Sequence, residues 1–247
     1  MRTPFNAATA QPLIRKLGQR DDLSEEEKQV LNKAISRVVQ FGADEDMVRE
    51  HDRPSECKLL LEGWASRYVT LEDGRRQIVA IQISGDFVDL HSFPLKKMDH
   101  SIGTLTRCTV ALVPHEALRE ITENYPHLTR LLWVNTLIDG AIQRRWLLGL
   151  GRKSATESMA HLLCELYTRL NVVGLTQGYT FRVPFTQAEF GDCLGLSTVH
   201  TNRVLGDLRS EGLVTWRGEN VEITDWEGLQ SLAHFDPTYL NLEDEPR

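Results

Sequence analysis

The sequence predicts an α+β fold in three parts: an N-terminal antiparallel β-roll, one long helix, and a C-terminal winged helix-turn-helix. Three observations carry that prediction. Between about residues 47 and 113, short β-branched runs alternate with turn signals, the pattern of a small antiparallel barrel or roll. From about 127 to 149, apolar residues recur at helical spacing. From 186 to 223, two short capped segments meet at a glycine-bearing turn and run into a hairpin.

Ser24 and Glu27 fit a capping box, with acidic residues in the positive first turn, so Glu25, Glu26 and Glu27 read as a solvated helix start. Leu31, Ile35 and Val38 continue at helical spacing. After Phe41-Gly42 the pattern changes, and strands are predicted at 58–61, 65–71, 77–83 and 106–113. Glu72-Asp73-Gly74 is a hairpin turn, because Asp-Gly suits positive φ.

Pro114 opens a short helix that ends near 124–126, and the long helix follows. Leu128, Leu131, Leu132, Asn135, Ile138, Ile142, Trp146 and Leu150 form its main stripe. That stripe is wide, so burial against a partner helix or a second domain is expected, with burial inside the chain as the alternative. Trp133 and Trp146 are expected as interface anchors, and Arg144-Arg145 as surface or partner ion pairs. Gly149 and Gly151 mark a hinge before Ser154, which with Glu157 forms a second capping box. The helix it opens runs to about 170 and buries Met159, Leu162, Leu163, Leu166 and Leu170, and a strand is predicted at 179–183. The acidic end from Asn241 is expected to fray. These breaks divide the chain into 1–126, 127–150, 151–235 and a tail at 236–247.

Composition removes whole classes of function. With 28 basic and 35 acidic residues the net charge is -7, which opposes broad nonspecific binding to a polyanion but leaves room for a small basic face. Cys57, Cys108, Cys164 and Cys193 are too scattered for a zinc or iron–sulfur site and read as buried thiols, so no metal is expected. The best candidate for a membrane span is broken by Arg130, Asp139, Arg144 and Arg145, and residues 1–7 lack the apolar stretch of an export signal, so a cytoplasmic chain is expected. No nucleophile elbow, glycine-rich phosphate loop or His-x-His pair points to an enzyme. His91 and His100 flank a loop with Lys96 and Lys97. A solvated loop is the plain reading, and haem ligation or anion capture the alternative.

Residues 186–225 speak most clearly. Thr186 and Glu189 form a third capping box, Gly195 suits a left-handed turn, and Ser197 caps a helix from Thr198 to about 211. Gly191 sits where the two helices must approach closely. Phe190, Leu194, Leu196, Val204 and Leu208 supply the apolar side, Gly212 ends the second helix, and 214–223 reads as a wing. Such a helix start offers N–H groups and a positive dipole to phosphate. Ser197, Thr198, His200 and Asn202 are polar there, Arg203 can fork onto guanine O6 and N7, and Arg217 at the wing tip can touch a flanking phosphate. A hairpin that merely packs, or a winged helix that contacts protein, is the alternative.

With those residues in view the chain resembles the Crp–Fnr superfamily of transcription regulators, over most of its length. The most specific parts are 185–213 and the Leu150-Gly151-Arg152-Lys153-Ser154 run with its cap. The resemblance implies a cyclic-nucleotide-binding-like roll, a homodimer joined through the long helices, a palindromic operator in double-stranded DNA, and RNA polymerase as a further partner. By position it makes Ser197 and His200 phosphate contacts, and Gln187 a phosphate contact from the first helix. Familiar members carry an Arg-Glu pair where this chain has Thr198 and Val199, while the arginine one turn later is kept as Arg203. Val199 offers only an apolar contact, such as to a thymine methyl, so the operator should differ.

In the roll, Ser84-Gly85-Asp86-Phe87 resembles the family's Gly-Asp turn, and the resemblance places an effector pocket at Gly85, Asp86, Phe87, Asp89, His100 and Ser101. The family's phosphate-gripping Arg-Ser pair is His100-Ser101 here, and its Glu is missing from Val88-Asp89-Leu90-His91. Losing the guanidinium removes charge-assisted hydrogen bonds worth about 1.5–3 kcal/mol each, so cyclic AMP held in the usual way is not expected. No cysteine cluster precedes Cys57, so no iron–sulfur cofactor is expected, and the effector is left unidentified. Two alternatives stay open: an effector-independent regulator controlled by its abundance, and a ligand-binding signalling module whose winged helix contacts protein.

Overall fold

The protein, described here from a computed structural model, is resolved into elements over residues 9–246. Residues 1–7, read above for an export signal, lie outside the described residues. The chain runs α1 (Gln11–Gly18), α2 (Glu25–Lys33), β1 (Arg37–Phe41), β2 (Asp46–Val48), β3 (Glu56–Glu62), β4 (Ala65–Thr70), β5 (Arg76–Gln82), α3 (Ser92–Leu95), β6 (Ser101–Thr104), β7 (Cys108–Pro114), α4 (His115–Asn124) and α5 (Pro126–Arg152). It continues through α6 (Ala155–Val172), β8 (Thr176–Gln177), β9 (Thr180–Arg182), α7 (Gln187–Leu194), α8 (Thr198–Ser210), β10 (Val214–Arg217), β11 (Asn220–Ile223), α9 (Trp226–Ala233) and a 3-10 turn at Pro237–Leu240. Two compact units result. One takes in the described residues up to Arg67, Ile81–Leu137 and those from Glu243 on; the other takes in Tyr68–Ala80 and Ile138–Leu242.

The roll is built from an antiparallel sheet β1-β7-β3 and a second sheet β2-β6-β4-β5. Alternate residues of a strand face opposite ways, and β3 and β7 are apolar on both faces. Leu60 and Val110 turn to a cluster with Val88, Met98 and Ile102. Leu59 and Ala111 turn to the other side, against Phe87, the buried faces of α1, α2 and α4, and Leu128, Leu131 and Leu132 of α5. Double-sided burial is why these strands read as unbroken apolar runs rather than as an alternation.

Several expectations are corrected here. Ile35 and Val38 do not prolong the α2 helix, which ends at Lys33; Val38 lies in β1 and pairs with Ala111. Two β-branched residues spaced by three satisfied the helical pattern, and only pairing with β7 decides for strand. Helix α1 and strands β1 and β6 were not foreseen. Glu27 is more than a solvated start: one carboxylate oxygen accepts from Ser24 N–H at 2.9 Å, and the other lies 2.6 Å from His127 Nδ1.

The long helix departs further. Leu128, Leu131, Leu132, Asn135, Ile138 and Ile142 are buried within the chain, so most of the main stripe needs no partner. Trp146 is not a free anchor, because its Nε1–H donates to the Glu165 carboxylate at 3.3 Å. Arg145 lies over the Tyr239 ring at 5.2 Å. The expected glycine hinge is helical: α5 runs through Gly149 and Gly151, and the break falls at Lys153-Ser154. Glycine costs a helix only about 1 kcal/mol per residue, which a continuous hydrogen-bond ladder tolerates.

In the second unit the predicted face of α6 is buried: Met159, Leu162, Leu163, Leu166 and Leu170. Glu165 on the same helix is fully buried and accepts from Tyr239 Oη–H at 2.9 Å and Arg169 Nη1–H at 3.2 Å. That bond and buried Leu240 hold the 3-10 turn at Pro237–Leu240, just before the acidic end that begins at Asn241. All four cysteines are free and buried. Among the described residues no helix is long and apolar enough to cross a membrane.

His127 yields a prediction. Burial pulls its pKa down, but hydrogen bonds to Asp21 and Glu27 outweigh that and raise it above the ordinary value. Its Nε2 lies 3.1 Å from Asp21 Oδ2, so a carboxylate faces each ring nitrogen and only the doubly protonated ring satisfies both. The stabilisation is complete below the unfolded value of about 6.5 and is lost as pH rises through the raised folded value. In urea unfolding, wild type should exceed His127→Gln most at about pH 6, with the gap narrowing as pH rises above the ordinary histidine value of about 6.5. A gap that widens with pH would refute the pairing.

Candidate nucleic-acid interface

The two helices of the predicted motif form as their capping residues dictate. Thr186 Oγ1 accepts from Glu189 N–H at 3.2 Å while the Glu189 carboxylate accepts from Thr186 N–H at 2.6 Å. Gly195 takes φ +66° and closes α7 by donating its N–H to the Gly191 carbonyl. Ser197 Oγ accepts from His200 N–H at 3.3 Å and starts α8. Where α7 meets the following turn and α8, a Cβ on Gly191 would lie 2.7 Å from Leu196 O and 2.8 Å from Thr201 Oγ1. Thr201 is buried, and its hydroxyl donates to Ser197 O at 3.1 Å. Beneath the pair, Phe190 stacks on Phe185 and meets Trp216 edge-on.

That packing decides which side of α8 faces out. Thr201, Val204, Leu205 and Leu208 are buried, so Thr198, Val199, Asn202, Arg203 and Gly206 line the opposite side and are exposed. Val199 is 81% exposed, an apolar side chain at the start of a helix with nothing of its own to cover it. Gln187 and His200 are half-buried at the margin, and Ser197 is exposed with its hydroxyl proton still available to a phosphate.

The wing forms from β10 and β11, in register Val214↔Ile223 to Arg217↔Asn220. It is joined to α8 by residues that the motif reading passed over. Arg209 Nη2–H donates to Trp216 O at 2.6 Å, and Trp216 Nε1–H to Gly218 O at 3.0 Å. Arg217 lies exposed at the wing tip. Among the described residues neither Arg203 nor Arg217 has an ion-pair partner, whereas Arg182 beside the wing is spent on Glu219. Arg203 and Arg217 are thus exposed cations left unpaired in a chain of net charge -7.

The roll disposes of its proposed pocket residues differently. Gly85 and Asp86 make the turn itself: Gly85 has φ +91°, and Asp86 accepts from Ile83 N–H at 2.9 Å and pairs with Lys16. Phe87 is in the core. Asp89 is fully buried and accepts from the Lys58 ammonium at 3.1 Å and from Lys58 N–H. Burial pushes its pKa up, against the pull of Lys58. Ser101 Oγ accepts from Glu50 N–H at 3.0 Å. These five side chains or backbones are thus committed within the roll.

His100 is the exception, and it is joined by His91. Their ring centroids lie 4.9 Å apart and both rings are half-buried, while residues 94–97 between them are exposed. Burial, and next the charge of Arg67, hold the His91 pKa down to about 3 and lower that of His100, so both rings are neutral at pH 7. His100 Nδ1 lies 2.7 Å from Asp99 Oδ1. Nearby, Cys57 Sγ, Ser92 Oγ and His115 Nε2 form a chain of contacts at 3.4 and 3.3 Å. Burial raises the Cys57 pKa to about 12, so it is a buried thiol and not a nucleophile.

Known proteins share both halves of this architecture. A family model described as a cyclic nucleotide-binding domain matches residues 38–125, and one described as a Crp-like helix-turn-helix domain matches 157–232. The transcriptional activator protein FnrL of Cereibacter sphaeroides is 30% identical over 201 residues, covering 79% of this chain and 80% of that protein. The transcriptional activatory protein AadR of Rhodopseudomonas palustris is 30% identical over 207 residues, covering 81% and 82%. The structure of FixK2 from Bradyrhizobium japonicum superposes with a TM-score of 0.73 at 25% identity, over 79% of this chain and 96% of that one.

Two glycines should respond oppositely to alanine. Gly191→Ala forces a methyl against Leu196 O and Thr201 and should destabilise the protein by about 1–3 kcal/mol. Gly206, on the open side of α8, would meet nothing within 4 Å, so Gly206→Ala should stabilise by about 0.4–1 kcal/mol. Urea midpoints moving the same way in both variants would contradict the packing.

Proposed function

The chain belongs to the Crp–Fnr superfamily of transcription regulators, and from that membership we propose that it acts as a homodimer on a two-fold symmetric operator, with one α8 in each of two successive major grooves. One observation carries the reading: the outward stripe of Thr198, Val199, Asn202 and Arg203, polar and cationic around an exposed valine. In this reading Arg203 and Asn202 read base edges, Val199 meets a thymine methyl, and Gln187, Ser197, Thr198, His200 and Arg217 hold the backbone.

Dimerisation is supported by a second stripe on α5. Trp133, Leu137 and Leu147 are 65%, 56% and 69% exposed, and with Gly140 and Arg144 they keep the alternating four- and three-residue steps of a coiled-coil seam. Residues 1–126 then serve as the sensor, 127–150 as the dimer helix and 151–235 as the DNA-binding part, with 236–247 as its tail. A pair of α8 helices must be spaced by about 34–36 Å to meet one face of the duplex. The protein is a regulator rather than an enzyme, works in the cytoplasm beside the chromosome, and has RNA polymerase as its onward partner.

Selection of bound sequences from random duplex DNA, followed by footprinting, tests this. A protected palindrome is expected, and its absence would sink the reading. On that operator Arg203→Ala should cost about 1–3 kcal/mol and relax preference at one position, while Arg217→Ala should weaken all sequences alike and lower the salt slope by about 1. Unchanged preference in Arg203→Ala would remove α8 from the groove. Leu137→Glu with Leu147→Glu should give a monomer on sizing chromatography and abolish footprinting at concentrations that saturate wild type. A dimer that survives both changes would place the seam elsewhere.

A further inference from the structure

We propose that His91, His100 and Asp99 form a site in the roll for one borderline divalent transition ion per protomer, such as Zn2+ or Co2+, and that its loading is the signal the regulator reads. The second clause rests on the DNA-binding reading above; the site itself does not.

The geometry is local and specific. One nitrogen from each imidazole and one carboxylate oxygen of Asp99 lie within 4.8 Å of one another. Small side-chain rotations bring such a set to the roughly 2.0–2.2 Å that imidazole and carboxylate ligands keep from zinc. The Nε2 atoms of both rings are buried and have no hydrogen-bond partner among the described residues. Buried polar atoms are nearly always paired, so two neighbouring unpaired imidazole nitrogens call for an electron-poor partner. Asp99 Oδ1 sits 2.7 Å from His100 Nδ1, and this exposed carboxylate turns off that nitrogen to join the ligand set when an ion binds.

Lys58 is paired with Asp89. Arg67 donates to the carbonyls of Val88 at 2.7 Å and Phe87 at 3.2 Å, which orients its guanidinium but leaves its charge, so the Asp99 carboxylate is needed to offset it when an ion binds. Asp99 is exposed and adds a carboxylate on the open side, which gives the ion a route in. Two imidazoles and a carboxylate suit the borderline metals better than calcium or magnesium, which prefer all-oxygen sites.

The test uses purified full-length protein without DNA, stripped with a chelator and titrated with Co2+, whose visible absorption reports nitrogen ligation, with Zn2+ as competitor. Saturable binding of one ion per protomer is expected. His91→Gln and His100→Gln should abolish it, and Asp99→Asn, a change at an exposed side chain, should weaken it about 10- to 100-fold. Far-UV circular dichroism establishes that each variant is folded. Absence of saturable binding, or binding that persists in the folded His91→Gln/His100→Gln double variant, overturns the site. Operator affinity is then measured with and without Zn2+. A change of about tenfold in wild type but not in His91→Gln supports the signalling role. Equal affinities in wild type overturn that role. Because the titration is done without DNA, its failure and a failure to find an operator are separate results.

Discussion

The close approach of α7 and α8 at Gly191 is the constraint on which the working surface depends. With no Cβ there, the Leu196 carbonyl and the Thr201 hydroxyl reach the backbone of α7, and the two helices lock with one rotation about each axis. That rotation buries Val204, Leu205 and Leu208 and leaves Thr198, Val199, Asn202 and Arg203 outside. Gly195 supplies the left-handed residue the turn needs, and Ser197 begins α8 at once. The wing is then referenced to the same helix through Arg209 and Trp216. A surface that must match the spacing of base pairs is thereby held by packing and caps rather than by a loop.

Charge is distributed with the same economy. An acidic chain gains affinity for a polyanion only where its cations are left unspent. Lys16, Lys58 and Arg169 are paired with buried carboxylates, and Arg182 is held by Glu219. Arg203 and Arg217 are left to the outer face. The paired cations serve folding, because a buried carboxylate without a partner is expensive. The roll applies the rule in reverse around Asp86 and Asp89, whose carboxylates are consumed by the turn and by lysines. That is why the turn resembling a nucleotide-binding one holds structure here.

Local chemistry was legible and long-range chemistry was not. The capping boxes at Ser24, Ser154 and Thr186 formed as written, because a cap is a contest among four neighbouring residues that tertiary structure rarely reverses. The hairpin turn, the wing and the recognition helix were legible for the same reason. His91 and His100 stand nine positions apart with no ligand spacing between them, and only the turn of the chain through α3 brings their rings together. The tie from Arg209 to Trp216 and the engagement of Glu27 with His127 were equally hidden. Each depends on where a second element lies, not on its own neighbourhood.

The amino-acid sequence by itself determined the α+β class and the order of roll, long helix and winged helix-turn-helix. Periodicity, caps and turn residues act within a few positions, and these features need nothing more. Tertiary structure alone decided that Ile35 and Val38 leave the helical pattern, that α5 passes unbroken through Gly149 and Gly151, and which stripe of α5 is spent inside the chain. An apolar stripe records that a helix must bury one side but not what buries it. On α5 the roll and α6 take Leu128 through Trp146, and Trp133, Leu137 and Leu147 are left over. Burial is a property of two surfaces at once, and only one of them is written in any given stretch of chain.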